Sequence, residues 1–207
     1  MTDAAFWAEQ WRAGKIRFHE GKPNPYLVRF APRLDDHGRV FVPMCGKTED
    51  LAYLAGRGHQ VVGVELVEDA VAAFFAEHEL TPRIVKHDGL VEYIAEGVTI
   101  YAGDLFALGP KQLGPIDAIY DRAALVALPE DLRQPYVDHL ITLSRPWVHA
   151  LTVTLEYDQA LMAGPPFSVD TAALMRLYDG YGLIHLAEAP ETSRAIPMIE
   201  RCFLITG

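Results

Sequence analysis

Two cysteines in 207 residues, Cys45 and Cys202, are too few for a disulfide framework, and no C-x-x-C pair occurs. That scarcity predicts a reducing, cytoplasmic setting. The eight histidines are dispersed, and neither H-E-x-x-H nor a Cys/His cluster is present, so no metal site is expected. G-x-S-x-G and the P-loop are also missing, which argues against hydrolase and NTPase chemistry. No apolar run reaches the roughly 20 residues of a membrane span. The first residues lack a basic segment followed by an apolar one, so no signal peptide is expected. Basic residues number 18 against 28 acidic ones, giving a formal net charge of -10. The basic residues form no patch, so a phosphate backbone would be repelled and nucleic-acid binding is not expected.

What is present is a hydrophobic half and a charged 22 %, a globular balance. Strand and helix patterns alternate. Strands are expected at 40–44, 60–65, 98–101, 116–120, 147–155, 183–187 and 198–206. Helices are expected at 48–57 with Thr48 as N-cap, at 68–78, at 129–143, and at 170–178 with Asp170 as cap. The stretch 83–94 fits neither pattern cleanly. Alternation of this kind predicts an α/β fold, a doubly wound and mostly parallel seven-stranded sheet. The last two strands have no helix between them and predict an antiparallel C-terminal edge hairpin. Residues 1–38 form a preface to that core: a helix carrying Phe6, Trp7 and Trp11 that ends near Gly14, a Gly/Pro loop, and a short helix over 26–34. One domain spanning 1–207 is expected, with 1–38 as an N-terminal cap segment and 39–207 as the sheet core.

In a parallel sheet, ligands sit outside the carboxyl ends of the strands. The turn Pro43-Met44-Cys45-Gly46 follows the first strand, and Glu65 ends the second, about 20 residues on, where an acid can hold ribose hydroxyls. The turn lacks the full G-x-G-x-x-G. A pyrophosphate needs those glycines for close approach, so a nicotinamide cofactor fits poorly. An adenosine ligand without phosphates, S-adenosylmethionine, fits better. An ordinary α/β sheet whose second strand ends in Glu remains the competing interpretation. Asp104, with Leu105 beside it, could accept the adenine amino group or merely close its own turn. Asp121-Arg122 follows the fourth strand. Arg122 could neutralise a carboxylate or stabilise a thiolate, with Asp121 orienting it, or the pair could only fix the loop. Trp7, Trp11 and Phe18 could cover the pocket or pack as core. Cys45 reads better as a small buried residue than as a nucleophile.

Several segments together resemble the thiopurine S-methyltransferases, particularly the bacterial ones associated with tellurite and selenium methylation. They are Phe6-Trp7 with Trp11, Phe18-His19, Asn24-Pro25, Val42-Pro43-Met44-Cys45-Gly46-Lys47, Gly58-His59 with Val61-Val62-Gly63-Val64-Glu65, the block Tyr120-Asp121-Arg122-Ala123-Ala124-Leu125-Val126-Ala127-Leu128-Pro129, and Gly164-Pro165-Pro166-Phe167. The resemblance implies a Rossmann-like class I methyltransferase fold with an N-terminal helical lid, and a monomer. It implies S-adenosylmethionine contacts at Trp7, Trp11, Met44, Glu65, Asp104, Leu105 and Arg122, with Phe18 and His19 closing over cofactor and acceptor. Met44 stands where family members commonly have Leu, a swap that keeps volume and apolarity. Residues 183–201 match more loosely. The expected reaction is S-methylation of an aromatic or heterocyclic thiol such as a thiopurine, with tellurium or selenium species as further acceptors. A halide or simple thiol methyltransferase and a catalytically silent S-adenosylmethionine-binding module are the alternatives.

Overall fold

The computed structural model describes residues 4–16, 19–34, 38–144, 146–192 and 195–207. The chain divides into two compact units, Met1–Asp117 and Ala118–Gly207.

The first unit opens with α1 (Ala4–Arg12), closed by Gly14 at φ 65°. Next comes α2 (Pro25–Phe30), whose first turn is capped by the Asn24 side chain accepting the Tyr26 N–H at 2.9 Å. The helix expected over 26–34 tightens into a 3-10 turn at Ala31–Arg33, since Pro32 has no N–H to continue the ladder. Leu27 and Leu34 are nonetheless fully buried, as their spacing predicts. Strand β1 (Arg39–Val42), helix α3 (Glu49–Gly56), strand β2 (Gln60–Glu65) and helix α4 (Glu68–Glu77) follow. Thr48 caps α3 by accepting the Asp50 N–H, and Leu51 and Leu54 are buried one turn apart. Helix α4 buries Ala70, Val71, Phe74 and Phe75, the i, i+1, i+4, i+5 stripe of a core-facing helix.

Strands β3 (Arg83–Lys86), β4 (Leu90–Ala95) and β5 (Val98–Gly103) complete the unit's sheet, ordered β3-β4-β5-β2-β1. β1, β2 and β5 run parallel, while β3 and β4 are antiparallel additions. The ambiguous stretch is thus a hairpin around Asp88-Gly89, and a two-residue turn at Glu96-Gly97 joins it to β5. Both glycines adopt φ 76°, open to glycine without strain. A short helix α5 (Pro110–Leu113) ends the unit.

In the second unit, β6 (Ala118–Arg122), helix α6 (Glu130–Leu143), β7 (His149–Glu156), helix α7 (Thr171–Leu177), β8 (Gly182–Glu191) and β9 (Met198–Thr206) give the strand order β6-β7-β9-β8. β6 and β7 are parallel, and β9 and β8 form the antiparallel edge hairpin expected. Asp170 caps α7 through the Ala173 N–H at 2.6 Å. Helix α6 contains Pro135, which removes one backbone bond, yet its stripe Arg133, Tyr136, Val137, Leu140 and Leu143 is buried. The α/β class with a parallel core is as expected. Among the described residues there are nine strands where the sequence pattern predicts seven, the hairpin β3-β4 being the addition. No described helix is long and apolar enough to cross a membrane.

Candidate active site

Because β1, β2 and β5 are parallel, their carboxyl ends open on the same edge. There a cleft of about 270 Å³, including the part open to solvent, is lined by Met44, Val64, Leu66, Gly103, Asp104, Leu105 and Phe106. Three residues singled out from sequence, Met44, Asp104 and Leu105, therefore meet. Val64, Leu66, Gly103 and Phe106 went unmarked there, although each sits within two residues of Glu65 or Asp104.

The turn after β1 explains how Met44 reaches the cleft. Met44 adopts φ 48° and Gly46 φ 56°, so the backbone reverses sharply. The Cys45 N–H donates to the Val64 carbonyl at 2.9 Å, laying the turn across the end of β2. A side chain at Gly63 would place its Cβ 2.7 Å from the Cys45 Sγ, so only glycine lets the turn sit this close. The buried Cys45 thiol is pushed well up by desolvation and then by the Glu65 charge, which keeps it protonated and unreactive.

Glu65 is 7 % exposed and flanked by the lining residues Val64 and Leu66. One carboxylate oxygen accepts the Gly46 N–H at 2.8 Å and the other accepts the Val67 N–H at 2.9 Å. Burial raises its pKa, opposed by backbone bonds from Val67, Gly46 and Leu66. A carboxylate offers about four acceptor positions. Two hold the turn, so capacity for hydroxyl donors remains. Asp104 caps the following 3-10 turn through the Phe106 N–H at 3.0 Å, which leaves its second oxygen with acceptor capacity. An apolar wall with a carboxylate at its rim suits an adenine ring with one amino group to satisfy.

The remaining candidates are not among the residues lining this cleft. Trp7 and Trp11 are half-buried on α1, and Trp7 meets Phe6 edge-on at 5.2 Å. His19 is half-buried with its N–H on the Ile16 carbonyl. Phe18 lies outside the described residues. In the second unit, Asp121 and Arg122 do not follow the strand, as the pattern suggested, but end it. Their register against Thr152 and Val153 of β7 extends β6 to Arg122. Successive strand residues face opposite sides. Accordingly Asp121 is fully buried and Arg122 half-buried. The Asp121 carboxylate accepts the Tyr136 hydroxyl at 2.8 Å and the Leu125 N–H at 3.2 Å. The Asp121 carboxylate thus fastens the turn and α6, the loop-fixing role that the sequence offered beside orientation of Arg122. Tyr136 carried no sequence signal beyond its place on the buried stripe.

Comparison with known proteins bears on this geometry. A family model described as thiopurine S-methyltransferase matches residues 2–195. The chain is 48 % identical over 179 residues to a thiopurine S-methyltransferase of Gluconobacter oxydans, covering 86 % of this chain and 81 % of that one. It is 43 % identical over 198 residues to one of Shewanella woodyi, covering 93 % and 89 %. Among solved structures, the fold is similar to a Burkholderia thailandensis 1,6-didemethyltoxoflavin-N1-methyltransferase with bound S-adenosylhomocysteine. The TM-score is 0.68 at 17 % identity, covering 99 % of this chain and 87 % of that one. A TehB-like methyltransferase of Corynebacterium glutamicum gives 0.55 at 16 % identity, covering 97 % and 96 %. The sheet and its elements are thus those of a class I methyltransferase, and the chain belongs to the thiopurine S-methyltransferase family of S-adenosylmethionine-dependent enzymes.

Proposed function

We propose that this protein transfers a methyl group from S-adenosylmethionine to the sulfur of an aromatic or heterocyclic thiol, such as a thiopurine. The observation that carries the reading is the family match over nearly the whole chain, joined to a cleft of adenosine character at the ends of β1, β2 and β5. When bound, S-adenosylmethionine supplies an electrophilic methyl group on a sulfonium, ready for in-line displacement.

The chain's own residues then have to bind, align and exclude water. Met44 and Leu105 supply apolar contact for the adenine ring, and Asp104 accepts its amino group. Glu65 offers its remaining acceptor capacity to ribose hydroxyls. Trp7 and Trp11 give aromatic cover to the cofactor. His19, in the segment that the family resemblance assigns to cofactor and acceptor, contributes to the acceptor side. Arg122, permanently cationic, holds either the cofactor carboxylate or the acceptor thiolate. A heteroaromatic thiol ionises readily, so no strong base is required. Reduced tellurium and selenium species are soft nucleophiles of the same kind and belong to the same acceptor class. The net charge of -10 supports small-molecule substrates rather than nucleic acid, and two buried free cysteines suit a reducing cytoplasm. The protein acts as a monomer in this reading.

The test is methyl transfer from labelled S-adenosylmethionine to thiopurine, thiophenol, selenite- and tellurite-derived species, and iodide. Label on the thiopurine or thiophenol supports the proposal. Label on iodide alone points to the halide enzyme, and cofactor binding without any transfer points to the silent binding module.

A further inference from the structure

The end of β6 carries a buried polar cluster that neither the cofactor cleft nor the core requires. Asp121 and Tyr136 are fully buried, as is Thr152, the neighbour of Asp121 across the parallel pair β6-β7. Tyr178, at the end of α7, is 2 % exposed, and its ionisation is disfavoured first by burial and then by the Asp121 charge. Among the described residues, the Tyr178 hydroxyl and Thr152 Oγ1 have no hydrogen-bond partner. Buried polar groups are costly, and an apolar replacement of similar volume is often neutral or stabilising. Three such groups at one strand end, Asp121, Tyr136 and Thr152, therefore need a reason other than stability.

Its placement supplies one. Arg122 is the last residue of β6, and Ala123 follows at φ 61°, a left-handed conformation that a non-glycine residue holds only under constraint. The chain then enters the 3-10 turn Leu125–Ala127. The far side of that turn is fixed by the Phe167 N–H donating to the Val126 carbonyl at 2.6 Å, while the Tyr157 hydroxyl holds the Pro166 carbonyl at 2.6 Å. The near side is held by Asp121 through the Leu125 N–H at 3.2 Å. We propose that Asp121 and Tyr136 are a positioning pair for Arg122: Tyr136 on α6 fixes the carboxyl, the carboxyl fixes the Leu125 amide, and the turn so clamped presents the guanidinium from the opposite face of β6.

This inference rests on the reading that Arg122 meets cofactor or acceptor. Neither Asp121 nor Tyr136 touches a reacting atom. Their effect passes through Arg122 and vanishes when the guanidinium is gone. A purely structural role would damage the enzyme with or without Arg122.

The experiment is a double-mutant cycle on kcat/KM for a thiopurine, using Tyr136→Phe, Arg122→Ala and the double variant, with thermal melting of each. Tyr136→Phe is expected to lower kcat/KM by about tenfold, and the double variant to lie within about twofold of Arg122→Ala, the signature of residues acting as a unit. A double variant about tenfold below Arg122→Ala would overturn the proposal. Asp121→Asn supplies the rescue arm. Its carbonyl keeps the Leu125 amide, and the Tyr136 hydroxyl can turn from donor to acceptor for the new amide group. It is expected to stay within about threefold of the native enzyme, whereas Asp121→Ala falls about tenfold or more. Equal losses in both would overturn the proposal even if Tyr136→Phe does not fold. Should the native protein methylate no thiol, the proposed function fails on its own. The clamp is then decided by hydrogen exchange over 121–128: faster exchange in Asp121→Ala than in Asp121→Asn supports it, and equal exchange rules it out.

Discussion

Two turns do the same job at the ends of two strands, one after β1 and the other after β6. Each has a non-glycine residue in the left-handed region, Met44 at φ 48° and Ala123 at φ 61°. Each is fastened by a buried carboxyl whose pKa burial raises, Glu65 and Asp121. The partners differ. Glu65 accepts two backbone N–H groups, which can only donate. Asp121 accepts one N–H and one hydroxyl, and a hydroxyl can reverse its role. The turn beneath the cleft at the ends of β1, β2 and β5 is locked to a carboxylate, while the turn after Arg122 tolerates a neutral amide or a protonated acid.

The sharpest way to break this contrast is to make the same chemical change in both. Glu65→Gln sets an amide donor against a backbone donor in the interior and should destabilise by about 3 kcal/mol. Asp121→Asn should cost under about 1 kcal/mol, because Tyr136 adapts. Urea unfolding of the two variants checks the ordering, and equal costs would end the comparison. Gly63→Ala comes next. Its new Cβ meets the Cys45 thiol at 2.7 Å and forces the first turn off β2, at a cost of about 2 kcal/mol. It should also weaken cofactor binding by calorimetry, while residues 118–128 keep native hydrogen exchange.

The pH dependence of stability separates the turns further. Burial pushes the Asp121 carboxyl from 3.8 to about 6 in the folded chain, against opposing bonds from Tyr136 and the Leu125 amide. The folded state therefore holds more protons than the unfolded one between those values. Stability from this group is complete below about pH 4 and is lost as pH rises through about 6. Asparagine does not titrate, so the melting temperature of Asp121→Asn should gain on the native protein between pH 4 and pH 6.5. A difference that stays flat across that range contradicts the assignment. The smallest effect expected is from Ala123→Gly, which relieves the left-handed strain and should raise stability by about 0.5 kcal/mol. Met44→Gly should relieve similar strain but lose the apolar contact that lines the cleft. Thermal melting and calorimetry on this pair compare the two turns directly.

Most of the fold is legible in the sequence because the local signals agree with one another. The caps Thr48 and Asp170 act as such, and the buried stripes at Leu51 and Leu54 and at Phe74 and Phe75 follow helical spacing. The hairpin β3-β4 is not legible from periodicity, since β3 is largely exposed and alternates weakly. Its signals are the turn chemistry at Asp88-Gly89 and at Gly97. The candidate cleft is half legible: Met44, Asp104 and Leu105 stand at strand ends, while Val64 and Phe106 are ordinary apolar residues whose place in it depends on where the loops fold. Tyr136 is hidden because its partner lies 15 residues away on another element, and nothing in a helical stripe distinguishes a buried tyrosine that bonds a carboxylate from one that packs.

The burial of the two cysteines has a protective consequence for an enzyme proposed to handle thiols. Disulfide exchange needs an accessible thiolate. Cys202 is fully buried on β9, and Cys45 is wedged against Gly63 and held protonated by its surroundings. An oxidised acceptor arriving as a disulfide finds no sulfur on the folded protein to capture. The same close packing that shapes the first turn thus keeps the protein from being capped by the class of substrate proposed for it.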